Sequence, residues 1–179
     1  MRPDPLSHRR ALPEDTAALR DLIDLAIGEL QKPFLTATQI AASRTIMGLD
    51  RQLIEDRTYF VIESGGSVVG CGGWSFRRTL YGSDQASGRN ADRLDPAVDP
   101  ARVRAMYTHP SCTRQGIGKL LLQLCEAAAR SSGFQATELM ATLAGEPLYR
   151  SQGYVALERQ DQALGGIPVP LIRMRKSLA

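Results

Sequence analysis

The residues with the clearest chemical potential lie in the segment Thr113-Arg114-Gln115-Gly116-Ile117-Gly118-Lys119, directly before a stretch with strong helical periodicity. Two glycines allow the backbone to fold tightly and to expose successive N–H groups. Such groups, together with the positive end of a helix dipole, bind anions. Arg114 and Lys119 add cationic side chains that suit phosphate. The segment predicts a site for a phosphorylated small molecule; the alternative is a glycine-opened helix that binds nothing.

Two known phosphate-binding motifs do not match this segment. A P-loop needs Gly-x4-Gly-Lys-[Ser/Thr], but counting back from Gly118 puts Thr113 at the first glycine and Leu120 at the Ser/Thr position. A dinucleotide fingerprint needs a glycine three residues after Gly118, where Leu121 stands. A nucleotide-binding enzyme is therefore disfavoured.

The composition indicates one folded domain spanning residues 1–179. Hydrophobic residues make up 43% and charged residues 23%, and the net charge of +3 is too small and too scattered to indicate a nucleic-acid partner. No run approaches the roughly 18 apolar residues of a membrane span. Met1 to Pro5 lack the apolar stretch of a secretory signal. We therefore expect a cytoplasmic protein with neither a membrane nor a nucleic-acid partner.

The cysteines predict neither disulfides nor a metal site. Cys71, Cys112 and Cys125 are odd in number, lack CxxC spacing and are accompanied by only two histidines. We expect reduced thiols and no metal cofactor. Cys125 lies on an apolar helical stripe and is predicted to pack in the core.

Hydrophobic periodicity predicts the elements that must position the anion segment. Helices are expected over Pro13–Leu30, from Thr36 through Met47, and over Leu49–Asp56. The order of elements indicates a mixed α/β domain with one central sheet. Strands are predicted, from a short edge strand onward, over Leu6–Leu12, Tyr59–Ile62, Val68–Phe76, Arg102–Thr108, Thr137–Leu143, Tyr154–Leu157 and Val169–Met174, with a short helix over Pro147–Gln152.

The clearest helix begins at Gly116 and ends at Gly133. Its spacing predicts an apolar face and a solvent face. The predicted apolar face comprises Ile117, Leu120, Leu121, Leu124, Cys125 and Ala128, and the predicted solvent face comprises Lys119, Gln123, Glu126 and Arg130.

Two regions break the pattern. The strand around Gly70-Cys71-Gly72-Gly73 is rich in glycine, which indicates either a close approach to its backbone or a bulge. A long insertion with few apolar residues begins at Arg77 and covers residues 77–101. A loop of this length is either a functional lid or a mobile insertion.

The chain contains, in order, a strand, the segment MYTHPSCTRQGIGKLLLQLCEAAARSSG, the next strand and the segment ATLAGEPLYRSQGY. With these segments it resembles the GNAT superfamily of acyl-CoA-dependent N-acyltransferases. The resemblance covers nearly the whole chain and is tightest over Val103–Tyr154. It implies a three-layer α/β (α+β) fold with one mixed, mainly antiparallel central sheet, splayed around the cofactor site, and helices on both faces. The family motif [Gln/Arg]-x-x-Gly-x-[Gly/Ala] matches at Gly116 and Gly118 but departs at Thr113.

The resemblance implies acetyl-CoA as cosubstrate and Tyr149 as the general acid toward the departing thiolate, unless Tyr149 only packs with Tyr154. A second departure is Thr142, where many members carry an asparagine that contacts the cofactor. The implied cofactor-binding residues are Met106, Tyr107 and Thr108 for the pantetheine arm, Arg114, Gln115, Gly116, Ile117, Gly118 and Lys119 for the phosphates, and Thr142.

No general base is assigned, because a water relay is an alternative to any side chain. The nearby candidates in the sequence are Glu63, His109, Glu138 and Glu146.

The resemblance places the acceptor pocket over the first two helices, the end of the Trp74 strand and the insertion. Trp74 either lines that pocket or closes the core. Arg77 and Arg78 would favour an acceptor with a carboxylate or phosphate, or they form a solvated pair.

The predicted function is an N-acetyltransferase that moves an acetyl group from acetyl-CoA to a primary amine of a small molecule or peptide. The alternative is a non-catalytic acyl-CoA sensor that keeps the cradle without the chemistry. A homodimer is a further option, through the hairpin edge or the C-terminal strand.

Overall fold

The computed structural model describes residues 5–179, so the N-terminal residues 1–4 used for the signal-sequence expectation lie outside it. Within that range the predicted order of elements is confirmed. Strands are β1 (Ser7–Arg10), β2 (Tyr59–Ser64), β3 (Ser67–Ser75), β4 (Ala101–Thr108), β5 (Ala136–Thr142), β6 (Val155–Leu164) and β7 (Ile167–Ser177), and helices are α1 (Thr16–Leu30), α2 (Ala37–Ser43), α3 (Arg51–Glu55), α4 (Ile117–Ser131) and α5 (Glu146–Ser151), with short 3-10 turns over Pro13–Asp15 and Pro110–Cys112.

The last two strands are longer than predicted. They contain 10 and 11 residues and form a hairpin around Gly165 and Gly166, which both have positive φ. Strand β6 is an edge strand that is exposed over most of its length, so its sequence shows little of the alternation that marks a half-buried strand.

The seven strands form one mixed sheet in the order β1-β2-β3-β4-β5-β7-β6. All neighbours are antiparallel except β4 and β5, which are parallel. The ladder between β4 and β5 contains only two pairs, Ala101 with Thr137 and Arg102 with Glu138. Beyond them the two strands diverge, which confirms the predicted splay of a mainly antiparallel sheet.

A buried ionic cluster lies at the last paired position of the split. Glu138 is 1% exposed, and its two carboxylate oxygens accept hydrogen bonds from Arg102 of β4 at 2.6 Å and from Arg173 of β7 at 2.5 Å. The cluster joins the side chains of three neighbouring strands at the closed end of the split.

Helices cover both faces of the sheet, as predicted. Helices α1, α2 and α3 bury Leu19, Ile40 and Leu53 against one face, while α4 and α5 bury Leu121 and Tyr149 against the other. Burial of these apolar side chains is the main favourable term that holds the layers together. Among residues 5–179 no helix is long and apolar enough to cross a bilayer.

The buried face of α4 is broader than its periodicity predicts. Glu126, expected to face solvent, is 8% exposed, and its Oε2 lies 2.7 Å from Nζ of Lys176 on β7. Leu122 and Ala129 are also fully buried, while Leu120, Leu124 and Ala128 are only partly buried. The reason is the position of β7, because its Lys176 supplies a partner for a carboxylate that would otherwise have to face water.

The glycines of β3 satisfy both predictions for that strand. A Cβ added at Gly70 would lie 2.3 Å from Cγ2 of Ile117, so the close approach is made by the protein's own helix α4. The register also shifts against β4, where Cys71 pairs with Tyr107 but Gly73 pairs with Arg104. Strand β4 therefore carries one extra residue at this point, a β-bulge.

The bulge in β4 determines which side chains share a face. Ala105, within it, has a φ of 52°. Because Cys71 and Gly73 are two residues apart on β3, their partners Tyr107 and Arg104 lie on the same face of the sheet. In a regular strand these two side chains, three positions apart, would lie on opposite faces.

The insertion contains neither helix nor strand but is held at many points. Arg77 forms a bidentate pair with Asp56, at 2.6 and 2.7 Å. Thr79 and Asn90 exchange hydrogen bonds across the insertion, and the Ser83 N–H donates to the Ile46 carbonyl at 2.8 Å. The structure therefore describes a packed wall against α2 and α3 rather than an extended loop.

We predict that Gly70→Ala lowers the free energy of unfolding by about 1–3 kcal/mol, because its methyl group would overlap Ile117. Urea denaturation measures the change. Gly28→Ala, at a partly buried position in the last turn of α1, is the matched control: its Cβ would meet only the flexible end of Arg44 at 3.3 Å, and helix propensity favours alanine by up to about 1 kcal/mol. Equal stability of the two variants would contradict the packing argument.

Candidate active site

A cavity of about 750 Å³ occupies the split between β4 and β5. It runs from the N-terminus of α4, past the diverging strands and α5, to the insertion and α1. The predicted site residues that line it are Met106, Tyr107, Thr108, Arg114, Gly116, Ile117, Gly118, Lys119, Thr142 and Tyr149. Gln115 belongs to the same loop but does not line the cavity.

The loop at the start of α4 presents free backbone amides. None of the N–H groups of residues 113–119 donates a hydrogen bond to another described residue. Arg114 and Gly116 have positive φ, 63° and 83°, which bends the loop sharply as it enters the helix. Free amides, a helix N-terminus and the exposed cations Arg114 and Lys119 are features that suit an anion.

Gly118 is required for a different reason from Gly116. A Cβ at Gly118 would lie 2.6 Å from Cδ2 of Leu148, so the lack of a side chain lets α4 begin close against α5. A Cβ at Gly116 would meet nothing, and that position needs glycine for its backbone angle. The two glycines therefore set the path of the loop and its distance from α5.

The edge of β4 that faces β5 is free along the cavity. From Val103 to Thr108 no residue of β4 pairs with β5, and all six of these residues line the cavity. The backbone groups on this edge can pair with an extended ligand that carries amides, as an additional strand would. On the opposite wall, the Thr142 hydroxyl accepts a hydrogen bond from the Gly145 N–H at 3.2 Å.

Tyr149 lies in α5 with its ring buried and its hydroxyl unpaired. The residue is 8% exposed, its ring meets Tyr154 edge-on with centroids 5.8 Å apart, and no described residue forms a hydrogen bond with its hydroxyl. Burial raises the pKa of Tyr149 above its ordinary value, so the hydroxyl keeps its proton at neutral pH. Tyr149 therefore both packs against Tyr154 and lies on the cavity wall.

The hydroxyl of Tyr107 on β4 is buried and is held by a hydrogen bond. The Gly48 N–H donates to the Tyr107 oxygen at 3.0 Å, and burial raises the pKa of Tyr107 above its ordinary value. Tyr149 and Arg104, which also line the cavity, influence the Tyr107 hydroxyl electrostatically.

Three residues that the sequence linked to the acceptor do not line the cavity. Trp74 is 6% exposed and packs edge-on with Phe76 and Phe134, so it closes the core. Arg77 is paired with Asp56, and Arg78 lies 3.8 Å from an aspartate of the insertion. The two arginines therefore stabilise the insertion.

None of the four candidate bases lines the cavity either. Glu138 belongs to the buried cluster with Arg102, and His109 bonds to Ser111 through Nδ1. Glu63 pairs with Arg9, and Glu146 pairs with Arg150 and Arg159.

Polar residues at the insertion end of the cavity were not predicted from the sequence. Gln31, Asp50, Ser83 and Arg104 all line it and are all buried. One signal was available: Arg104 follows Arg102 in a strand predicted to lie inside the sheet, where charged side chains need a buried partner or a ligand. Among residues 5–179, no group of histidine, cysteine, aspartate and glutamate could hold a metal ion.

Residues 55–156, more than half of the chain, match the family model of the acetyltransferase (GNAT) domain. The chain belongs to the GNAT acetyltransferase family. The matched range contains the anion loop, the split strands and Tyr149, so the family assignment and the cavity concern the same part of the molecule.

Solved structures share the GNAT fold over nearly the whole chain. A GCN5-related N-acetyltransferase from Rhodopseudomonas palustris is 19% identical, with a TM-score of 0.71 and coverage of 99% of this chain and 98% of that one. PaiA N-acetyltransferase from Thermoplasma acidophilum, in complex with coenzyme A, is 13% identical, with a TM-score of 0.64 and coverage of 97% and 99%. A GNAT family acetyltransferase from Brucella melitensis, in complex with acetyl-CoA, is 16% identical, with a TM-score of 0.58 and coverage of 98% and 90%. No curated protein matches the sequence significantly.

We predict that inorganic pyrophosphate binds to the loop of this GNAT chain and raises its melting temperature. Arg114→Ala and Lys119→Ala should each weaken this binding by about fivefold, the value of one exposed ion pair of about 1 kcal/mol, and salt should screen the difference. Arg175→Ala removes an exposed cation that does not line the cavity and serves as the control. An equal loss in all three variants would contradict a local anion site.

Proposed function

We propose that the chain is an N-acetyltransferase that moves an acetyl group from acetyl-CoA to a primary amine of a small molecule or peptide. The observation that carries the proposal is a single cavity that joins free loop amides, a free strand edge and the unpaired Tyr149 hydroxyl. Membership of the GNAT family supports it. So do the coenzyme A and acetyl-CoA complexes of the two similar proteins from Thermoplasma acidophilum and Brucella melitensis.

The chemical character of the cavity matches that of coenzyme A along its length. The amides of residues 113–119 with Arg114 and Lys119 suit the phosphates, which are anionic. The free edge of β4 from Val103 to Thr108 suits the pantetheine arm, whose two amides can pair with a strand. Thr113 stands at the family's Gln/Arg position. Its hydroxyl bonds to the Pro110 carbonyl at 3.4 Å, so the loop relies on its backbone and on Arg114.

Acetyl-CoA, when bound, supplies an activated thioester. The Tyr149 hydroxyl donates its proton to the departing sulfur, and the proton that the attacking nitrogen loses as the amide forms returns to the Tyr149 oxygen through water. Burial raises the pKa of Tyr149, but burial also raises the pKa of a thiol, as for Cys71 in this protein, whose pKa rises to about 12. Burial therefore shifts the basicity of the acid and of a departing thiolate in the same direction, which favours the transfer.

The acceptor amine must lose a proton before it attacks. The only carboxylate among the described residues that line the cavity is Asp50, and two arginines, Arg89 and Arg104, neutralise it. We therefore propose no dedicated side-chain base: the amine reacts from its neutral fraction or through water. This assignment predicts a rate that rises with pH until the amine itself is deprotonated.

We predict that Tyr149→Phe lowers kcat by about 100-fold, because general acid catalysis contributes roughly 10²–10⁴ to such reactions. The KM for acetyl-CoA should change little, since the ring and its packing remain. Release of free coenzyme A thiol with acetyl-CoA and an amine measures both values. Full turnover in this variant would remove Tyr149 from the mechanism.

Tyr154→Phe is the matched control. Tyr154 is also buried and packs against Tyr149, but its hydroxyl is paired with Thr137 at 2.8 Å and it does not line the cavity. Its loss should lower stability by about 1 kcal/mol without the fall in kcat. Coenzyme A binding that stabilises the protein without thiol release on any amine class would contradict the proposed enzyme and indicate a non-catalytic sensor.

A further inference from the structure

The insertion end of the cavity contains a buried ionic cluster of Asp50, Arg89 and Arg104. The Asp50 carboxylate is 1% exposed; its Oδ1 lies 2.9 Å from Nη2 of Arg89 and its Oδ2 lies 2.7 Å from Nη2 of Arg104. Both arginines also donate to the Gly82 carbonyl. The cluster thus joins β4, the start of α3 and the insertion. Asp50, Gly82 and Arg104 all line the cavity.

Unpaired buried polar atoms are concentrated at this end. Six buried side-chain atoms of the described residues lack a hydrogen bond, and four of them belong to residues that line the cavity. Buried polar groups are normally paired, so this end of the cavity wall is polar and incompletely satisfied, although these four atoms are themselves shielded from the cavity. The four atoms are Gln31 Oε1, Asp50 Oδ2, Ser83 Oγ and Arg104 Nε.

Arg104 has the largest unused donor capacity of this group. Its Nη2 contacts both Asp50 and Gly82, whereas neither Nε nor Nη1 has a hydrogen-bond partner among the described residues. The contact with Asp50 Oδ2 is close but is not aligned as a hydrogen bond. The Nε is shielded, so Nη1 is the free donor that can reach a ligand in the cavity, and a guanidinium N–H in this position is suited to bind a carboxylate.

The net charge of the cluster favours an anion with a single negative charge. Two guanidinium groups and one carboxylate leave the cluster with one positive charge, and the neighbouring Arg51–Asp84 pair is neutral. One carboxylate balances that charge, whereas a phosphate monoester carries close to two negative charges at neutral pH. A carboxylate is therefore the better match.

Arg104 and Tyr149 line the same cavity. The β4 bulge places it on the same face as Tyr107, and Tyr107 is influenced electrostatically by both Arg104 and Tyr149. A ligand group held at Arg104 therefore lies in the same cavity as the hydroxyl assigned to the departing sulfur.

We propose that the acceptor is a primary amine that carries a carboxylate, an amino acid in chemical class, and that Arg104 binds this carboxylate. The proposal rests on the proposed acetyltransferase function and specifies its acceptor. Arg104 acts here as a specificity residue: it orients the acceptor and takes no part in proton transfer.

The first test uses the unaltered protein. A panel of amino acids and the carboxamides of the same amino acids is compared by thiol release with acetyl-CoA at pH 8. We expect kcat/KM to be at least about tenfold higher for the acids, because the free energy of a charge-assisted hydrogen bond at a buried site corresponds to this factor or more. The amides have the lower amine pKa and hence the larger reactive fraction, so amine basicity alone would give the opposite order.

The second test compares two arginines of one strand. Arg104→Gln should raise the KM for the acids and bring the acid-to-amide ratio of kcat/KM close to one. Arg102→Gln is the control, because Arg102 is also buried, also paired with a buried carboxylate and also has an unpaired Nε, but does not line the cavity. Stabilisation by coenzyme A verifies that each variant is folded.

Three outcomes decide the proposal. A preference for acids that Arg104→Gln removes and Arg102→Gln keeps supports it. Equal turnover of acids and amides by the unaltered protein overturns it while the proposed acetyltransferase function stands. Absence of thiol release with every amine overturns both. If Arg104→Gln does not fold, competitive inhibition of an amide substrate by the matching des-amino carboxylate replaces it, and a lack of such inhibition overturns the proposal.

Discussion

The structure depends on where the pairing of β4 and β5 stops. Two residue pairs join these strands, and the buried Glu138 cluster with Arg102 and Arg173 lies at the last of them. Removing one partner from such a buried ionic group costs about 3–5 kcal/mol, so this end of the split is firmly closed. Beyond it six residues of β4 have no strand partner on that side. An unpaired strand edge inside a sheet would be unfavourable in a protein that bound nothing there.

The remaining features of the cavity are arranged around that split. Helix α4 begins at its mouth with its free amides, and α5 places Tyr149 on the opposite wall. Gly70 and Gly118 make this arrangement possible, because each lacks a side chain where another element approaches within van der Waals contact. The glycines that the sequence shows in two separate places therefore serve one purpose, the close packing of α4.

The cavity has two differently charged ends. At the α4 end, cations and free amides face solvent and suit phosphates, whereas at the insertion end a buried cluster carries one net positive charge. The insertion closes the second end through the contacts of its backbone with arginine side chains, as at the Gly82 carbonyl. Substrate specificity is thus expected to reside in a part of the chain with no regular secondary structure.

The sequence by itself determined the order of the elements, the anion loop before α4 and the position of Tyr149, because helical periodicity and glycine placement are local signals. The helix and strand that follow the loop are found where they were expected. Local signals could not reveal the partner of Glu126, since Lys176 lies 50 residues away, or the exposed strand β6. Only the tertiary structure decided that Arg104 shares a face with Tyr107, because a one-residue bulge reverses the alternation of a strand and leaves no mark in its composition.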